Sequence, residues 1–149
     1  MPSRGVCVTC DHDAQPDPAP PRERIAGDEH WRVAHAFGVA LLGWLVVIPR
    51  RHVTTIADLS AAEAATLGHW QVRLSRAREA ATGCTKTYIA QFAEAEGFGH
   101  VHFHVVPRMP DLAKELRGPR VFTLLGRPEH QAADAATMDE FALTLRQLI

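Results

Sequence analysis

The sequence predicts an α+β fold: a mainly antiparallel five-stranded sheet, one long helix and a C-terminal helix. Three observations carry this prediction. Several short apolar runs are bounded by turn residues, one long stretch has helical periodicity between a capping signature and a glycine, and a second, shorter periodic stretch closes the chain. The 149 residues carry 16 Lys+Arg against 17 Asp+Glu and are 46% apolar. That is the composition of one globular domain, residues 1–149, able to build a core without disulfides.

The N-terminal residues 1–24 hold Cys7-Val8-Thr9-Cys10 and then a polar stretch with Pro16, Pro18, Pro20 and Pro21. That proline density disfavours helix and ladder pairing, so residues 11–24 read as an extended connector or tether. Next, HWRVAHAF (30–37) alternates loosely, and GWLVVIP (43–49) is a continuous apolar run between Gly43 and Pro49. They read as adjacent antiparallel strands. Ser60 with Glu63 forms a capping box, and Leu67, Trp70, Leu74, Ala77 and Ala81 recur at three- and four-residue steps before Gly83. This predicts an amphipathic helix of about six turns. KTYIAQF (86–92) and HVHFHVVP (100–107) read as strands around a turn-like AEAEGFG, and RVFTLL (120–125) supplies a further strand. Thr137 with Glu140 repeats the capping signature, and Met138, Phe141, Leu145 and Leu148 mark one face of a helix over 137–149.

Several classes of function are disfavoured. A net charge of −1 supplies no bulk cationic field for nucleic acid or an anionic membrane. The longest largely apolar stretch, Ala36 to Ile48, falls short of the roughly 20 residues of a membrane span. Met1 to Gly5 lacks the charged and apolar regions of a signal peptide, so the cytoplasm is the expected compartment. Stable disulfides are not expected there, and Cys84 reads as a small buried residue.

Histidine is the unusual feature: nine of them beside a single Tyr. His100, His102 and His104 alternate with Val101, Phe103 and Val105, so on a strand three imidazoles share one face and three apolar groups the other. Isolated histidines such as His12, His30, His69 and His130 need no functional explanation. Three in register have a desolvation and repulsion cost that a structural role does not explain. At about 3.3 Å per residue, His100 and His104 stand ~13 Å apart at their backbones, so all three could hardly share one metal on a straight strand. Divided roles follow, with the middle imidazole suited to be a nucleophile.

His100-Val101-His102-Phe103-His104-Val105-Val106 resembles the signature of the histidine triad (HIT) family, His-x-His-x-His followed by two apolar residues. The upstream Val47-Ile48-Pro49-Arg50-Arg51-His52 is similar to that family's second strand and its closing segment. The resemblance implies a single HIT-like domain and a nucleotide hydrolase or transferase acting at an α-phosphorus. Nε2 of His102 would be the nucleophile, with its tautomer held by a main-chain carbonyl near the first histidine. His104 would hydrogen-bond the phosphate, helped by Gln91 and by the backbone at Phe98 and Gly99. His35, Phe37 and Trp44 would border the nucleoside. The resemblance also implies a homodimer through the long helix and sheet edges, with a small-molecule nucleotide substrate.

Taken alone, Cys7 and Cys10 are a redox pair, half a metal site or a coincidence. One branch of the family binds structural zinc through such a pair, and carried over by position the ligands are Cys7, Cys10, His52 and His100. The sequence also departs from the family pattern. Ala36 stands where an acid usually grips the ribose, Trp44 replaces a histidine, and the polar phosphate turn becomes Ala95-Glu96-Gly97-Phe98-Gly99, next to Glu94. These changes motivate a second reading, a nucleotide-binding or scaffold protein with little turnover. A third, a cupin-like metalloenzyme using His100 and His102, lacks a nearby carboxylate, since the next acid is Asp111.

Overall fold

The computed structural model describes residues 6–149; the signal-peptide reading of Met1 to Gly5 lies outside them. The chain runs α1 (Val8–Asp13), β1 (Ala26–Gly27), β2 (Trp31–His35), β3 (Leu45–Pro49), α2 (Ala61–Thr82), β4 (Lys86–Ala90), β5 (Phe103–Arg108) and α3 (Ala135–Arg146), with short 3-10 turns between. The five strands form one sheet in the order β1-β2-β3-β5-β4. Every pairing in it is antiparallel.

The period of two along each strand sorts side chains into two layers. Trp31, Val33, Leu45, Val47, Phe103 and Val105 point to one face and pack with Trp70 and Leu74 of α2 and Phe141 and Leu145 of α3. Leu74 is fully buried, and Leu74→Ala there would cost about 2–5 kcal/mol. The alternate positions, Ala36, Trp44 and Val106, form a second apolar cluster with Val39, Leu112 and Val121 on the other face.

Helix α2 begins and ends where the sequence places it. Ser60 caps it, with its hydroxyl accepting from the Glu63 N–H and the Glu63 carboxylate accepting from the Ser60 N–H, and Gly83 ends it in the left-handed conformation at φ 70°. Buried Arg78 on this helix donates to the carbonyls of Gly43 and Val105 and to the Thr87 hydroxyl. It stitches the helix to two strands and to the turn before β3. Gly43 lies at φ 89°, and a Cβ there would sit 3.3 Å from Phe141 and 3.4 Å from Arg78, so no other residue fits this turn without strain.

Five expectations are corrected. The RVFTLL segment is not a strand: Gly118–Leu124 is a 3-10 helix, because Val121 and Phe122 pack on the second face instead of extending the ladder. The fifth strand is the two-residue β1, too short to show periodicity. The connector is not a tether, since α1 occupies its start and Arg22 reaches Asp139 of α3 at 2.8 Å. Helix α3 is capped by Asp134, whose carboxylate takes the Thr137 N–H and hydroxyl, both at 2.9 Å; Leu148, past the helix end, is exposed. Strand β5 also starts three residues later than HVHFHVVP implies. Among the described residues no helix is long and apolar enough to cross a membrane.

Arg51 closes the loop after β3 onto α2, meeting both Glu63 carboxylate oxygens at 3.0 Å. That pairing, with the Ser60 N–H, holds the Glu63 carboxyl down from 4.5 to about 2. A carboxylate depressed in the folded state stabilises fully above its unfolded pKa and loses that contribution as pH falls through the folded value. Glu63→Gln should therefore lower the melting temperature at pH 7 and flatten its fall between about pH 4.5 and 2. Thermal denaturation across that range checks both effects.

Candidate active site and metal centre

Cys7, Cys10, His52 and His100 bring one ligand atom each to a common point, all within 4.8 Å of one another. The Cys10 sulfur lies 3.2 Å from Nδ1 of His52 and 3.4 Å from Nδ1 of His100, and the Cys7 sulfur 3.8 Å from the latter. Bonds of about 2.3 Å to sulfur and 2.0 Å to nitrogen put tetrahedral ligands roughly 3.4–3.8 Å apart, so the spacing fits a metal ion. The protonation pattern fits as well. Nε2–H of His100 donates to the Pro49 carbonyl at 2.8 Å, which leaves the Nδ1 lone pair facing the sulfurs, as in metal-binding imidazoles whose other nitrogen is held by a carbonyl. Burial also lowers the His100 pKa, favouring the neutral ring. These residues can hold a metal.

Directly after His100 the chain turns toward a different site. Nδ1–H of His102 donates to the His100 carbonyl at 2.8 Å, so Nε2 of His102 keeps its lone pair. His102 and His104 have ring centroids 4.8 Å apart, and both line a cavity of about 640 Å³ on the sheet face opposite α2. His100 is not among its lining residues. The floor is small and apolar because Ala34 pairs with Val46 and Val46 with His104. One end is aromatic, with Phe37, Phe92, Phe98 and Phe122. His12 packs on Phe37, ring centroids 5.5 Å apart; Glu23 accepts from His12 at 3.1 Å, and Arg32, itself buried, donates to the Glu23 carbonyl at 2.9 Å.

The candidate residues named from sequence divide accordingly. His102, His104, Phe37 and Phe98 meet in the cavity; Gln91 and Gly99 are not among its lining residues. Trp44 is fully buried behind His104, to which its indole N–H donates at 3.0 Å. It is not an apolar exchange for a polar group. His35 borders the cavity, but its ring faces α3, edge-on to Phe141. Its Nδ1–H donates to the Ala36 carbonyl at 2.6 Å and its Nε2 accepts from the Gly43 N–H at 2.9 Å. Both nitrogens are consumed, and burial lowers its pKa, so the ring is a neutral internal brace. Sequence reasoning missed His12, Glu23, Arg32 and Phe122. Arg32 was within reach of the period-two argument; Glu23, in the proline-rich stretch, carried no signal.

Known structures agree with this architecture. A histidine triad protein from Bradyrhizobium japonicum is 28% identical over 85% of this chain and 89% of its own, with a TM-score of 0.68. The fold is that of the histidine triad superfamily. A zinc-bound histidine triad family protein from Mycobacterium smegmatis, 23% identical, matches 95% of this chain and 94% of its own at a TM-score of 0.65. A histidine triad protein from Sinorhizobium meliloti reaches 0.69 at 17% identity, over 85% and 88% of the two chains. No family model matches the sequence, and no match to a curated protein reaches significance.

The brace role of His35 has a measurable consequence. His35→Phe leaves the Gly43 N–H and Ala36 carbonyl unpaired in the interior, so it should cost about 1–3 kcal/mol in urea denaturation while leaving the bound-metal content unchanged.

Proposed function

We propose that this protein is a nucleotide hydrolase or nucleotidyl transferase that cleaves at the α-phosphorus of a nucleoside phosphoramidate or dinucleoside polyphosphate, with structural zinc at Cys7, Cys10, His52 and His100. The observation that carries the reading is the His102 ring: its Nδ1–H is committed to the His100 carbonyl at 2.8 Å, which makes Nε2 an available nucleophile in a largely apolar cavity. In the first step Nε2 bonds to phosphorus as the bond to the leaving group breaks, and the leaving group takes the electron pair and then a proton. In the second, water attacks phosphorus, the phosphorus–nitrogen bond breaks, and His102 returns neutral. His104 donates to a phosphate oxygen as its charge grows. Beside these, the backbone around Phe98 contacts the phosphate chain, and Phe37 stacks on the base.

Zinc, where bound, supplies a rigid link and no chemistry at the phosphate. It would fix α1, whose Val8, Thr9 and His12 form one wall of the cavity. Glu23 is the carboxylate on that wall, available to ligand hydroxyls where Ala36 offers none. The family also supports a homodimer, and Ile89 and Phe92, exposed at and after edge strand β4, suit such a contact. The cytoplasm is the compartment this chemistry suits.

One observation favours a second reading, nucleotide binding with little turnover: Glu94 lies on the cavity wall and would oppose a phosphate nearby. A single experiment separates the two. Incubated with an activated nucleotide, the protein should form an acid-labile nucleotidyl adduct that His102→Ala abolishes. Binding of AMP by calorimetry with no adduct and no turnover would support the binding protein instead, and an adduct persisting in His102→Ala would sink the mechanism. For the metal, the purified protein should carry one zinc per chain by elemental analysis, falling to near zero in Cys7→Ser and Cys10→Ser, with weaker AMP binding as α1 loosens.

A further inference from the structure

Trp44 immediately precedes β3, on the cavity side of the sheet, and is wholly buried. Its indole N–H points at Nδ1 of His104 at 3.0 Å, the rings edge-on with centroids 5.8 Å apart. Phe122 closes on both, 5.1 Å from each ring centroid and nearly perpendicular to each. This contact allows one proton arrangement. An indole nitrogen donates and never accepts, so Nδ1 of His104 has to be the acceptor and the ring proton has to sit on Nε2. Nε2 has no partner among the described residues, and His104 lines the cavity.

We propose that Trp44 is a positioning residue that locks His104 as a neutral hydrogen-bond donor from Nε2, aimed at an anionic oxygen of the ligand. Two neighbouring imidazoles are thereby fixed in opposite tautomers. His102 has its proton on Nδ1 and offers a lone pair at Nε2; His104 has its proton on Nε2 and offers a donor. Without the indole, His104 could flip to the Nδ1–H form and present a second lone pair to the phosphate, where it would repel the oxygen it should bind. Burial supports the lock by pushing the His104 pKa down to about 4, so the ring holds one proton at neutral pH. The aim toward a ligand rests on the nucleotide reading above; the tautomer does not.

The test is a nitrogen-15 NMR measurement of histidine tautomers on the metal-loaded full chain without ligand, at neutral pH, in wild type and Trp44→Phe. Wild-type His104 should show a protonated Nε2 and an unprotonated, hydrogen-bonded Nδ1, with the Trp44 indole proton protected from exchange. Trp44→Phe should yield a mixture of tautomers at His104 while His102 keeps its own, and AMP affinity should fall about tenfold or more, as for the loss of one charge-assisted hydrogen bond. A protonated Nδ1 at wild-type His104 overturns the assignment, as does an unchanged tautomer in a folded Trp44→Phe. The wild-type spectrum decides even if the variant fails to fold. If the tautomer is as stated but neither protein binds AMP, the assignment of Trp44 stands and the nucleotide reading falls.

Discussion

The placement of His100 is the constraint on which both sites depend. Its Nε2–H is spent on the Pro49 carbonyl at the end of β3, its Nδ1 faces Cys7, Cys10 and His52, and its own carbonyl takes the proton of His102. A single buried residue therefore ties β3 to the segment leading into β5, gathers the N-terminal arm, and fixes the protonation of the neighbouring imidazole. A rotation of this peptide would release the His102 tautomer even if every side chain stayed in place. The next residue reinforces the position: the Val101 N–H donates to the Val53 carbonyl at 2.8 Å, pinning the backbone on the far side of the ring.

The arm that the metal cluster anchors is also a structural wall. Val8 donates its N–H to the Gly97 carbonyl at 3.0 Å, and Gly97, at φ 80°, has no Cβ to meet the Val8 methyl 3.3 Å away. Gly97 in the turn before the histidines is thus set against α1, while Ala95, Glu96 and Gly99 are exposed. Helix α1 is too short to be stable by itself, so its place on the cavity wall depends on such contacts.

Much of this was legible in the sequence where period and capping were strong. Ser60 and Gly83 delimit α2 because the capping box and the left-handed glycine are local devices that need no tertiary context. The pairing of β2 with β3 follows from two apolar runs adjacent in the chain. What was not legible depended on contacts between distant residues. Arg78 on α2 reads as a solvent-facing cation, and only the fold reveals three polar partners buried beneath it. RVFTLL has the composition of a strand, yet Val121 and Phe122 are drawn onto the second apolar cluster, and the Tyr88 hydroxyl of β4 accepts from the Gly118 N–H at 3.1 Å at the start of the 3-10 helix. The proline stretch carried a correct local statement, that it would not join the sheet interior, and a wrong global one, that it would be loose.

The same distinction governs Trp44 and His35. Both are amphipathic rings, and their role depends on where one N–H or one lone pair points. His35 has its nitrogens turned inward to Ala36 and Gly43, away from any ligand, although histidine is the residue type that invites a functional reading. Trp44, which invites an apolar reading, spends its only polar atom on a histidine of the cavity. Charge follows the same logic. With a net charge of −1 the molecule has no long-range pull on a phosphate, and burial keeps His104 uncharged at neutral pH. The polar character of the cavity is therefore directional: one donor on His104, one lone pair on His102 and the backbone that holds both, in an apolar cavity where a hydrogen bond is worth more than it is in water.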